Sequence, residues 1–166
     1  MKVIKADRSN YGEKRSHDAV RYIIIHYTAG NGDTAENEGR YFQGKNRRAS
    51  AHFFIGQDGA IVKSVGLDHV AWSVGGKKYS DCVKTGGGRL YGIAKNSNSV
   101  SIELCDNLNK DPSEAQIKAV RHTIAYIRKY CKNANAIIRH FDVNGKHCPA
   151  RMMNNKKWEA FLKMLK

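Results

Sequence analysis

Proline is nearly missing, with two in 166 residues, and acidic side chains are scarce, 15 against 29 lysines and arginines. No apolar run approaches the about 18 residues that a membrane span needs, so no membrane insertion is expected. Met1-Lys2-Val3-Ile4-Lys5-Ala6-Asp7-Arg8 holds no apolar h-region, which predicts synthesis in the cytoplasm without a secretory signal peptide. Cys82, Cys105, Cys131 and Cys148 form no CxxC pair and no tight framework, so reduced thiols are expected rather than a disulfide scaffold. Heptads, internal repeats and low-complexity stretches are absent too, which excludes collagen, coiled coil and long disordered tracts.

What remains is an ordinary globular chain of unusual charge. Apolar residues make up 41% and charged residues 27%, enough for one domain with its own core. The net charge is +14 and uneven. Residues 1–106 carry 16 basic and 11 acidic side chains, net +5; residues 107–166 carry 13 and 4, net +9. Such a field attracts polyanions or merely solvates the surface. Lys118, Arg121, Arg128, Lys129, Lys156, Lys157 and Lys163 are expected on exposed helix faces. A nucleic-acid partner has charge alone in its favour, since no RNP-like aromatic cluster and no C-x2-C…H-x3-H finger is present. The H-x-E…P-C-x-x-C signature of zinc deaminases is absent as well.

Val20 to Tyr27 is β-branched and aromatic on both faces and reads as a central strand. Asp33 followed by Glu36 predicts a capped helix near 34–44. Ala51–Gln57 and Ala60–Val65 flank Asp58-Gly59 as a hairpin. Residues 66–98 hold seven glycines and read as a long irregular segment. Ser99–Leu104 is a further strand, and Ser113 with Gln116 opens a helix with a stripe of Ile117, Val120, Ile124 and Ile127. Ala136–Arg139 is a short strand, and a closing helix from Lys157 to Leu165 buries Trp158, Phe161, Leu162 and Leu165. Interleaved strands and helices with one hairpin give an α/β class, a single domain with a mixed β-sheet.

His26 and His140 each end an apolar strand. If those strands are neighbours, both imidazoles emerge at one sheet edge, where open α/β folds place ligands. Cys148 follows His140 by eight residues, after the turn Asn144-Gly145, and that spacing can return its sulfur to His140. Two His and one Cys make three zinc ligands and leave a fourth position open, the catalytic arrangement; the plainer reading is two satisfied strand-end histidines. Glu103 sits within an apolar strand, where an acid costs several kcal/mol unless it is paired or functional. It is either a general base or a buried partner for an arginine. Lys146, two before Cys148, is either an oxyanion stabiliser or one more surface lysine. Asp142 is either an acceptor that fixes an imidazole tautomer or a turn former.

Five segments together resemble the zinc-dependent N-acetylmuramoyl-L-alanine amidases of the type-2 family: Ile25-His26-Tyr27-Thr28-Ala29, Ala51-His52-Phe53-Phe54-Ile55, Ala71-Trp72, Asn98 to Glu103, and His140 to Pro149. That family includes phage and prophage endolysins and the peptidoglycan recognition proteins. The likeness runs from about Val20 to Met153 and makes residues 1–166 a single catalytic domain, with room for a wall-binding domain outside this chain. It implies one Zn2+ per chain on His26, His140 and Cys148, with Glu103 as acid–base and Lys146 as oxyanion stabiliser. It also implies a central sheet flanked by helices, with the site in a groove on one sheet face. The reaction implied is hydrolysis of the amide between N-acetylmuramic acid and L-alanine of peptidoglycan. His52, Trp72 and Ser73 become substrate-binding candidates, with His52 either supporting the groove or simply packed in its hairpin. Two positions depart from the family: Ser73 stands where many relatives carry His, and Ala51 where one branch carries a catalytic Tyr. The implied setting is a monomer that acts on the cell wall after release, holin-dependent for a phage lysin, with anionic wall polymers as partners of its basic surface. A muropeptide-recycling cytosolic amidase and a non-catalytic recognition protein share the fold; Cys148, Glu103 and Lys146 favour an enzyme.

Overall fold

The computed structural model describes all residues from Met1 to Lys166. Eight strands form: β1 Lys2–Val3, β2 Tyr11–Lys14, β3 Tyr22–Tyr27, β4 Phe53–Ile55, β5 Ile61–Lys63, β6 His69–Ala71, β7 Ser99–Leu104 and β8 Ala136–Arg139. The α-helices are α1 Ala35–Tyr41, α2 Cys82–Thr85, α3 Glu114–Tyr130, α4 His140–Asn144 and α5 Asn155–Met164. Six strands make one mixed sheet in the order β1-β5-β4-β7-β3-β8, in which only β4 and β5 run antiparallel. β2 and β6 pair separately. The α/β class and mixed sheet are as the sequence implied.

Strand alternation divides the sheet into two unlike faces. Ile23 and Ile25 of β3, Val100, Ile102 and Leu104 of β7, and Phe53 and Ile55 of β4 turn to one side. There they meet the apolar stripe of α3 (Ile117, Val120, Ile124, Ile127) and Trp158 and Phe161 of α5. Between these residues on β3 and β7, His26, Ser101 and Glu103 turn to the opposite side, together with Ile24, which packs on Val74, Ala94 and Val143. One face is therefore a closed core, and the other carries the polar groups.

Several local expectations shift on inspection. Helix α1 is capped by Thr34, which accepts from the Asn37 amide at 3.1 Å, rather than by Asp33. Asp33 instead accepts from the Thr28 hydroxyl at 2.6 Å and the Asp106 amide at 2.7 Å. That carboxylate thereby ties together the exits of β3 and β7, the strands that carry His26 and Glu103. Ser113 caps α3 as expected, but the Gln116 side chain donates to the Ile55 and Cys105 carbonyls instead of closing a capping box. Segment 66–98 is less irregular than its glycines suggest, since it contains β6 and α2. Edge strand β1 and the β2–β6 pair are too short to carry a readable period. All four cysteines are free and buried. No helix is long and apolar enough to cross a membrane.

Candidate metal centre and its groove

Parallel pairing of β3 with β7 sets His26 beside Glu103. On its other flank β3 pairs with β8, with Ile25 opposite Arg139, and the residue that follows each of these two is a histidine: His26 and His140. Their rings lie 4.7 Å apart between centroids at an angle of 63°. α4 begins at His140 and is closed by Gly145 at φ +89°, after which the chain turns back and delivers Cys148. The Cys148 Sγ stands 3.8 Å from His26 Nδ1. Ligand atoms of His26, His140 and Cys148 all lie within 4.8 Å of one another, and all three residues are buried. Glu103 Oε1 is 3.8 Å from the same His26 Nδ1, and its side chain is 18% exposed.

Burial moves every member of this cluster toward its neutral form. His140 is pushed down to about 3 by desolvation and the Lys146 ammonium. His26 falls well below the ordinary imidazole value, first through desolvation and then through His140, Lys146 and His52. Glu103 is pushed up to about 8 by desolvation, with Lys146 opposing. Desolvation and the Glu103 charge raise the Cys148 thiol. His26 Nε2, both ring nitrogens of His140 and Glu103 Oε2 are buried with no hydrogen-bond partner. Buried polar atoms without partners are costly. Two imidazoles and one thiol with spare lone pairs are a donor set suited to zinc, and a dication there would answer both the missing partners and the missing positive charge.

Lys146 is exposed and lines a groove of about 440 Å³ with His140, Ser73, Lys77 and Lys78. Trp72 lies in an adjoining cavity. His52 does not reach the groove. It is 1% exposed, its ring contacts Ser101 Oγ at 3.1 Å, Arg15 Nη2 at 2.9 Å and the His69 carbonyl at 3.2 Å, and desolvation pushes it down to about 3. The expected substrate contact is thus a packing residue, because the chain just before β4 turns its ring inward onto Ser101.

Asp142 holds no imidazole either. Its carboxylate takes Arg139 through Nη2 at 2.7 Å, Nε at 3.1 Å and the backbone amide at 2.8 Å. Arg139, 1% exposed, also donates to the Met152 and Met153 carbonyls at 2.9 Å and to Asn155. This pair locks the start of α4 to the segment that follows Cys148. Sequence reasoning missed it, although an arginine closing an apolar strand with an aspartate three residues on was its signal. Removing one partner of a buried pair strands the other charge. Asp142→Ala is expected to lower unfolding stability by about 3–5 kcal/mol, measured by denaturant titration; a loss below about 1 kcal/mol would put the pair in the weak surface class.

Two imidazoles and a thiol that could hold a metal ion, with an acid beside them, thus gather where β3 and β7 end and the chain leaves β8. The sequence pattern of the N-acetylmuramoyl-L-alanine amidase family matches residues 16–151, and the chain belongs to that family. It is 30% identical over 145 residues to the N-acetylmuramoyl-L-alanine amidase BlyA of Bacillus subtilis (strain 168), covering 83% of this chain and 38% of that protein. With the N-acetylmuramoyl-L-alanine amidase CwlL of Bacillus licheniformis it shares 32% identity over 141 residues, covering 79% and 36%. The chain therefore spans well under half the length of these relatives. Among solved structures, PlyL shares the fold with a TM-score of 0.75 at 22% identity, over 100% of this chain and 96% of that one.

Proposed function

We propose that this chain hydrolyses the amide between the lactyl group of N-acetylmuramic acid and L-alanine in peptidoglycan, as a wall-lysing enzyme of the endolysin kind. The convergence of His26, His140 and Cys148, with lone pairs left over, carries the reading. These three residues would hold one zinc ion, which supplies Lewis acidity at the groove floor when bound. Glu103 takes the proton of the attacking water and returns it to the leaving amine. Its Oε1 stands 3.8 Å from His26 Nδ1 and its Oε2 has no partner, so the acid is free to hold that proton beside the cluster. The Lys146 ammonium, facing the same groove as His140, stabilises the oxyanion that forms at the lactyl carbonyl. Ser73 in the groove and Trp72 in the adjoining cavity are its substrate contacts. Digestion of purified sacculi tests the reading. New N-terminal L-alanine without new reducing sugar ends is the expected result; reducing ends alone would make the enzyme a glycosidase, and cleavage of soluble muropeptides but not sacculi would make it a recycling amidase.

The basic surface belongs to the same proposal. Lys118, Arg121, Arg128 and Lys129 on α3 and Lys156, Lys157 and Lys163 on α5 are all exposed. Both helices cover the sheet face opposite His26 and Glu103. Cations on that back face can hold an anionic wall polymer while the groove stays free for substrate. Screening shortens from about 10 Å at 0.1 M salt to about 3 Å at 1 M. Lysis of intact walls is therefore expected to fall steeply over that range, while cleavage of a small muropeptide stays level. Equal salt profiles for the two substrates would leave the charge a solubility device.

A further inference from the structure

The groove beside His140 does not end at Ser73. Gly75, Gly76 and Asn144 line both the cavity that holds His140 and Lys146 and a second one of about 480 Å³. A Cβ built on Gly75 or Gly76 meets nothing within 4 Å, so any side chain there would project into open space between the two cavities. Asn144 holds this junction, donating to the Gly75 carbonyl at 2.9 Å and accepting from the Lys146 amide at 3.0 Å. The two cavities are thus halves of one channel, and their chemistry differs. The half beside His140 carries Lys77, Lys78 and Lys146 and no acid. In the other half the only charged side chain is Lys95, and the walls are Trp72, Tyr91, Val70, Asn96 and Ser97 among others.

Trp72 is 37% exposed, yet it is held firmly. Its amide donates to Ser50 Oγ at 3.0 Å, and its carbonyl accepts from the Ser50 amide at 3.1 Å. The indole rests on Gly12 of β2, where a Cβ would come within 3.0 Å of Nε1. Asn96 Oδ1 fixes the next two amides, those of Ser73 and Val74, at 3.1 and 2.8 Å. Tyr91, 46% exposed, lines the same cavity. An exposed indole on a fixed frame and an exposed tyrosine ring lining the same cavity, edged by neutral amide and hydroxyl groups, suit a ring with apolar C–H faces and a rim of hydroxyls. That is the chemistry of a pyranose. Lysines without acids suit instead the carboxylates of a stem peptide.

We propose that the Trp72–Tyr91 end of the channel is a saccharide subsite that holds the glycan strand on the muramic side of the scissile amide, with the stem peptide running toward Lys77 and Lys78. The assignment rests on the amidase reading for the substrate and adds its direction in the groove. It is tested without cleavage, by titrating the protein with the peptide-free disaccharide of N-acetylglucosamine and N-acetylmuramic acid. The chain has two tryptophans and Trp158 is buried, so a change in tryptophan emission reports on Trp72. Saturable emission change is expected, with calorimetry giving the affinity. Tyr91→Ala, an exposed loop change, should weaken the disaccharide about tenfold, the scale of one lost aromatic contact. It should leave binding of free L-alanyl-D-glutamate unchanged, whereas Lys77→Ala with Lys78→Ala should do the reverse. Absence of saturable disaccharide binding, or equal loss of both ligands in Tyr91→Ala, would overturn the assignment. Failure to cut walls at the lactyl amide would sink the amidase reading instead and leave the disaccharide titration to stand on its own result.

Discussion

Cys148→Ser is expected to strip the protein of zinc and of nearly all its activity while leaving the fold in place. The residue is 2% exposed and lies 3.8 Å from His26 Nδ1, so the sulfur is a member of the cluster and not a bystander. Serine fits the same space, and the backbone bonds on either side survive: the Cys148 carbonyl accepts from the Phe141 amide, and the Cys148 amide reaches the Lys146 carbonyl. The ligand chemistry does not survive. A thiolate is a strong zinc donor, whereas an alcohol at neutral pH keeps its proton. Losing an outer-shell partner alone costs about 10–100-fold in metal affinity, and losing a ligand should cost more. Metal analysis after dialysis against a mild chelator, with circular dichroism as the control for folding, gives the answer. Full zinc occupancy in a folded Cys148→Ser protein would remove Cys148 from the ligand set.

The second large effect concerns Glu103. Glu103→Gln keeps the shape of the side chain and removes only its ability to take a proton. Turnover is expected to fall by roughly 10²–10⁴, the usual worth of a general base, with zinc content and fold retained. Geometry separates this outcome from a structural role. No arginine or lysine lies within ion-pair distance of Glu103; its Oε1 stands 3.8 Å from the His26 Nδ1, and Oε2 has no partner. A buried carboxylate serving as an ion-pair anchor would show a cation in contact, as Asp142 does with Arg139. A Gln variant with near-normal rate and intact zinc would mean that the acid is held for some other reason.

The parts of this site that were legible in the sequence share one property: each rests on local pattern. The runs Tyr22-Ile23-Ile24-Ile25 before His26, and Ala136-Ile137-Ile138-Arg139 before His140, read as strands with a histidine where the apolar pattern stops. That the two strands lie side by side, which the sequence left conditional, is shown by their parallel pairing. Glu103 was visible as an acid in an apolar run, and Cys148 as a residue behind a turn. Long-range pairing was not legible. Nothing in the sequence says that Asp33 reaches Thr28 and Asp106 instead of capping its own helix, or that the half-buried Arg15 guanidinium spans to the Ser99 carbonyl at 2.6 Å. His52 shows the same limit: the motif put it near substrate, and only the sheet shows its ring turned onto Ser101. Tyr91 lies in the glycine-rich segment, where no periodicity tells an exposed ring from a packed one.

The central claim is that His26, His140 and Cys148 bind zinc and that zinc serves cleavage of one particular amide. The most direct measurement uses synthetic N-acetylmuramoyl-L-alanyl-D-isoglutamine, protein freed of metal, and mass spectrometry of the products as zinc is returned stepwise. Free N-acetylmuramic acid and L-alanyl-D-isoglutamine should appear in proportion to added zinc and level off at about one equivalent per chain. Cleavage that persists undiminished in the metal-free protein, or a product cut at any other bond, would contradict the account.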